Sequence, residues 1–72
     1  YRFTGNGNWS LASNWENNII PPSVLPEGDT IYIDNIPGGQ CTLDTAQSVS
    51  SAGSVIIVSG KNLIIPGLLK LQ

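Results

Sequence analysis

The chain has 72 residues with five carboxylates, Glu16, Glu27, Asp29, Asp34 and Asp44, and no histidine. Any acid–base chemistry must therefore run between Asp and Glu. Two carboxylates suffice for glycoside hydrolysis when the fold sets them about 5 to 10 Å apart. Nothing in the spacing here brings a particular pair together, so no catalytic residue and no enzymatic activity is expected. Asp29, Asp34, Asn35 and Asp44 are also oxygen donors of the kind calcium takes, about six to eight at a time. No loop carries the dense Asp/Asn alternation of a dedicated calcium site, and the four read as solvated turn residues. No metal or cofactor is expected. Gly5-Asn6-Gly7 lacks the helix and lysine of a phosphate loop and reads as a turn. Asn8-Trp9-Ser10 fits the N-glycosylation acceptor pattern, which is common by chance.

Trp9 and Trp15 are the other side chains that could recognise a ligand, because sugar rings stack on indole faces. A carbohydrate-binding module using Trp9 or Trp15, with a glycan as partner, is one reading. The other is that the two indoles plug the end of the core, since so short a domain has few other large side chains to close it. Cys41 has no second cysteine to pair with, and its place in an alternating run reads as a small buried hydrophobe.

Composition narrows the partners. Arg2, Lys61 and Lys70 are the only basic side chains and the net charge is −2, against the clustered basic face of a nucleic-acid binder. The longest apolar run is four residues, far below the roughly 20 of a spanning helix. No signal peptide is visible. A single small domain, 1–72, is expected. A domain of this size buries only about 60% of the surface its unfolded chain exposes, so stability depends on closing its ends.

The elements that must position these residues centre on Val55 to Leu71, VIIVSGKNLIIPGLLKL, three short apolar runs parted by Ser-Gly-Lys and Pro-Gly. Their length, β-branched content and turn residues predict strands. The runs repeat earlier ones. Ile31-Tyr32-Ile33 lies 24 residues before Val55-Ile56-Ile57, while Cys41-Thr42-Leu43 and Val49 lie 22 before Leu63-Ile64-Ile65 and Leu71. Three strands per unit at a fixed offset is the pattern of a solenoid, in which each strand pairs with its counterpart one turn later. The expected inward columns are Ile31/Val55, Ile33/Ile57, Cys41/Leu63, Leu43/Ile65 and Val49/Leu71. The fold expected is all-β, a short right-handed parallel β-helix of about two coils over residues 30–72. The hand follows the rule for parallel crossovers. A small antiparallel β-sandwich or roll, pairing runs adjacent in sequence, is the alternative.

Residues 1–29 differ in composition. Tyr1-Arg2-Phe3-Thr4 alternates like a strand and stops at Gly5-Asn6-Gly7-Asn8. Ser13 and Glu16 have the spacing of a capping box, so one helical turn at most is expected before Pro21-Pro22 ends it. The stretch is expected to fold as a Trp-rich N-terminal cap over the open end of the coils.

Gly7-Asn8-Trp9-Ser10-Leu11-Ala12-Ser13-Asn14-Trp15, followed by a proline-containing loop and Pro26-Glu27-Gly28-Asp29-Thr30-Ile31-Tyr32-Ile33, resembles a segment of secreted bacterial surface proteins of the autotransporter and adhesin type. There a G-x-W-x-x-x-x-N-W stretch and a P-x-x-G-D run precede parallel β-helix coils. The resemblance covers residues 3–34 closely and the rest loosely. It departs at Glu16, where a glycine usually follows the second Trp. It implies an extracellular or bacterial cell-surface location and a non-enzymatic structural or adhesive role.

Alternation sends Ile56, Val58, Ile64 and Leu68 outward, where the first unit has polar residues. Self-association through these four residues, or through the open coil end, is the expected partnership, because exposed apolar patches and bare strand edges recruit other chains.

Overall fold

A computed structural model describes residues 1–71. Among them, β1 (Arg2–Phe3), β2 (Gly7–Asn8), β3 (Val24–Leu25), β4 (Thr30–Ile33), β5 (Cys41–Thr42), β6 (Gln47–Val49), β7 (Ser54–Ile57), β8 (Leu63–Ile64) and β9 (Leu69–Leu71) form an all-β architecture. Three sheets of three strands are made, β1-β4-β7, β2-β5-β8 and β3-β6-β9. Every ladder is parallel. No strand pairs with its neighbour in sequence, so the antiparallel sandwich or roll is not the arrangement found. The expected columns appear in register as Ile31 with Val55, Ile33 with Ile57, Cys41 with Leu63 and Val49 with Leu71. Leu43 follows suit, donating its N–H to the Ile64 carbonyl at 3.0 Å.

Residues 1–29 do more than cap. They supply β1, β2 and β3, one strand to each sheet, so three layers of strands are stacked where about two were expected. The first layer is illegible as a repeat because its spacing is broken. Phe3 and Ile33 pair at an offset of 30 residues, Asn8 and Thr42 at 34, and Leu25 and Val49 at 24. The irregularity comes mainly from an insert between β2 and β3, which carries two 3₁₀ turns, Ala12–Asn14 and Glu16–Asn18. Trp15, between them, makes an antiparallel bridge to Phe3. The Ser13/Glu16 capping box does not form. The residues flanking the two turns at their starts are Leu11 and Trp15, and neither makes a side-chain cap bond. Pro26 to Asp29 make the turn into β4. Asp29 N–H donates to the Pro26 carbonyl at 3.2 Å, with Gly28 at φ +86° in the position of a type II turn that demands a left-handed residue.

The core is Phe3, Trp9, Trp15, Leu25, Ile31, Ile33, Cys41, Leu43 and Val49, all from the first two layers and the insert. No strand precedes β1, β2 and β3, yet Phe3 and Leu25 are fully buried. The insert covers Phe3, with Trp15 edge-on to it at 5.2 Å between ring centroids, and Leu25 belongs to the same core cluster. Among the described residues the third layer has no such cover. Its inward residues Ile57, Ile65 and Leu71 are 49%, 45% and 70% exposed, although the alternation that turns them inward matches that of the buried layer beneath. Inward direction and burial are separate properties here, because burial also needs a layer on the far side.

Candidate functional site

Trp9 and Trp15 meet edge to face, with ring centroids 5.0 Å apart and planes at 75°. Both are buried, at 1% and 2% exposure, and Trp15 donates its indole N–H to the Trp9 carbonyl at 2.7 Å. Neither indole offers an open face to a sugar ring. Asn14 fastens this arrangement. It is buried, its Nδ2 donates to the Asn8 carbonyl at 3.0 Å, and its backbone carbonyl accepts from the N–H groups of Thr4 and Gly5. Its Oδ1 also accepts from the Asn6 N–H at 3.3 Å. The G-x-W-x-x-x-x-N-W residues therefore tie the insert to the strand corner between β1 and β2. Sequence reasoning had no sign of this role for Asn14, because a polar residue in a loop carries no periodic signal.

The oxygen donors do not converge. Asp34, just after β4, accepts from Arg2 of β1 at 3.0 Å and faces Lys61, in the turn between β7 and β8, at 3.6 Å, so one carboxylate links the three layers at this corner. Asp44 receives the Ser10 N–H at 2.8 Å and the Ser10 hydroxyl at 2.6 Å. Those bonds, the hydroxyl's first, hold its carboxyl below the ordinary 3.8. Asn35 is buried at the corner after β4, where its Oδ1 accepts the Asn62 N–H at 3.2 Å. Among the described residues no three of His, Cys, Asp and Glu are grouped as metal ligands would be. Glu16 stands on a surface groove of about 410 Å³ with Tyr1, Arg2, Asn17, Ile19 and Tyr32. The Tyr32 face in that groove is already occupied, since the Arg2 guanidinium sits 4.8 Å over its ring.

Cys41 is fully buried in its column, and its thiol is pushed up to about 12, by burial first and by the charge of Asp44 second. Gln47, also buried, occupies an inward position opposite Leu69, and its Nε2 donates to the carbonyls of Pro22 and Ser48 at 2.9 and 3.0 Å. This inward glutamine was invisible to hydrophobic patterning.

A second concave surface is the uncovered third layer, where Val55, Ile57, Leu63, Ile65, Leu69 and Leu71 line an apolar hollow of about 380 Å³, and a smaller hollow of about 190 Å³ lies beside Trp9, Ser10, Ile20 and Gln47. No family model, curated protein or solved structure matches this chain. Any functional reading therefore stands on these surfaces. The expected outward residues Ile56, Ile64 and Leu68 are exposed and Val58 is half-buried. Ile56 lies in the first sheet and Ile64 in the second, while Leu68 leads into β9 of the third, so they do not lie on a single sheet face. Among the described residues no helix is long and apolar enough to cross a membrane.

Proposed function

We infer that this chain is a non-enzymatic structural or adhesive module of a secreted or bacterial cell-surface protein, built as a short right-handed parallel β-helix. The observation that carries the reading is the pairing of every strand, in parallel, with the strand one unit on. Side chains at the corners reinforce that stacking. Ser10 with Asp44, Asn6 Oδ1 with the Gln40 N–H and Asn35 with Asn62 each join one layer to the next. Two of the five carboxylates, Asp34 and Asp44, are thus engaged in holding layers together. The right hand rests on the general rule for parallel crossovers. The extracellular location rests on the resemblance of the Trp-rich segment to surface-protein β-helices.

Two measurements test the reading. Nuclear Overhauser contacts should link Ile31 with Val55 and Cys41 with Leu63; contacts between strands adjacent in sequence would overturn the stacked arrangement. Titration with oligosaccharides should leave tryptophan emission unchanged. A saturable shift would instead favour a carbohydrate-binding module using Trp9 or Trp15.

A further inference from the structure

Asn6-Gly7 is the only Asn-Gly dipeptide in the chain, and the other six asparagines are followed by Trp, Asn, Ile or Leu. Such a pair is chemically unstable in an unfolded chain. Glycine has no Cβ to hold its amide nitrogen away from the preceding side chain, so once a base removes the Gly7 N–H proton the nitrogen can attack Asn6 Cγ. The side-chain nitrogen leaves as ammonia and a five-membered succinimide closes. Water then adds to one or the other imide carbonyl and opens the ring, giving aspartate or isoaspartate at position 6. One water is taken up and one ammonia released, so solvent supplies everything the reaction needs.

The fold holds both reacting groups on the main chain of one residue, Gln40, in the second layer. Asn6 Oδ1 accepts the Gln40 N–H at 2.9 Å, and the Gly7 N–H donates to the Gln40 carbonyl at 2.8 Å. The first bond fixes the direction of the Asn6 side chain. The second retains the proton that must leave before the nitrogen can attack. From the other side the Asn6 N–H donates to Asn14 Oδ1 at 3.3 Å, and β2 carries Gly7 into the ladder opposite Cys41. Asn6 is itself exposed. Water and base reach it in the folded chain, so these bonds, and not burial, restrain the reaction.

We propose that Asn6 is a deamidation site gated by this Gln40 clamp. The reaction proceeds only when Asn6 Oδ1 and the Gly7 N–H leave Gln40, so the product accumulates as a one-way record of opening between the first two layers. Either product adds a carboxylate and takes the net charge from −2 to −3. Aspartate keeps an oxygen for the Gln40 N–H. Isoaspartate routes the main chain through the former side chain and inserts a methylene before Gly7, which shifts β2 from its register on β5.

The proposal rests on the stacked-strand reading above, and hydrogen exchange tells the two apart. The Asp34 N–H, which donates to the Phe3 carbonyl at 2.9 Å, reports on the stack; the Gly7 N–H reports on the clamp. Incubated at pH 8 and 37 °C, with the 1 Da mass gain at Asn6 followed by peptide mapping, the native chain should deamidate about a hundredfold or more slowly than the same chain in denaturing guanidinium chloride. Gly39→Ala strains the clamp directly, since a Cβ there would lie 3.0 Å from Asn6 Oδ1 and 2.8 Å from Ile36 Cγ1. It should raise deamidation and Gly7 exchange by one common factor of about five or more, because both draw on the same open population. The wild-type chain in guanidinium chloride below its unfolding transition gives a second series that needs no variant, and there too the two rates should climb together. Native deamidation as fast as in the unfolded chain, a freely exchanging Gly7 N–H beside a protected Asp34 N–H, or rates that diverge in either series would each overturn the proposal. Free exchange of the Asp34 N–H in the untreated wild-type chain would instead overturn the stacked-strand reading beneath it.

Discussion

Trp15 and Trp9 are bonded in one direction only: the Trp15 indole N–H reaches the Trp9 carbonyl at 2.7 Å, while the equally buried Trp9 indole N–H has no acceptor among the described residues. A buried donor without a partner costs about 1–3 kcal/mol, and a satisfied one contributes about 1. Trp9→Phe removes an unsatisfied group along with some ring volume, whereas Trp15→Phe removes a made bond and strips the Trp9 carbonyl. Trp15→Phe should therefore be the more destabilising by roughly 1–3 kcal/mol in urea melts. Equal losses would show that ring volume alone decides both sites.

Gly5 touches Asn14 so closely that a methyl group has no room. A Cβ there would contact the Asn14 Oδ1 and lie 2.8 Å from its Cγ and 2.9 Å from its Cα. The Cα is backbone and cannot swing aside. Gly5→Ala should lower stability by about 1–3 kcal/mol, the usual effect of overpacking. Asn14→Ala in the same background should recover little, because the backbone contact remains and the two side-chain hydrogen bonds of Asn14 are lost.

Ile33 and Ile57 share a column and an inward direction, but Ile33 is fully buried and Ile57 is half exposed. Ile33→Ala should cost about 2–5 kcal/mol as a buried large-to-small change. At low micromolar protein, Ile57→Ala should cost about half as much or less, because little cavity is left where no layer lies above. Denaturant melts of the two variants compare them directly. An equal loss would mean that the third layer is covered in solution.

Which parts of this fold were readable follows from where period-2 alternation survives. The second and third units keep it, so the partners of Ile31, Ile33, Cys41 and Val49 could be named from spacing alone. In the first unit Phe3 and Leu25 are the only inward apolar residues within strands, and the insert shifts the offset between them, so periodicity had nothing to work on. Asn14, Asn35 and Gln47 were illegible for another reason. Their burial is made possible by carbonyl and N–H partners at the corners, which exist only once the layers are stacked. The number of covered ends also lies outside patterning, since it depends on the path of residues 9–23.

Asp44 carries a pH dependence of known sign. Its carboxyl is lowered below 3.8, mainly by the Ser10 hydroxyl. The unfolded chain therefore binds a proton more readily than the folded one, and stability falls as that proton is taken up. The contribution is fully present above the ordinary carboxyl value and is lost as pH drops through the lower folded one. In Ser10→Ala the Asp44 carboxyl should titrate closer to 3.8, as carbon-13 chemical shifts will show, with a shallower loss of stability between pH 4 and 2. An unmoved Asp44 titration would assign the lowering to the backbone N–H bonds instead.

Cys41 should report on opening of the whole stack. It lies fully buried between the strand pairs of the second sheet, with Gly7 on one side in the ladder and Leu63 on the other. The thiolate is the reactive form, and a thiol displaced to about 12 supplies almost none at pH 8. Exposure and ionisation both require the layers to separate. Alkylation at pH 8 should consequently be orders of magnitude slower than for free cysteine, and it should accelerate in step with the unfolded fraction as urea is added. Variants that weaken the layers, Gly5→Ala and Ile33→Ala, should raise the rate by the factor their loss of stability dictates. A fast reaction in the native protein, insensitive to those substitutions, would mean that Cys41 becomes accessible by a local motion of the corner near Gln40 instead of by separation of the layers.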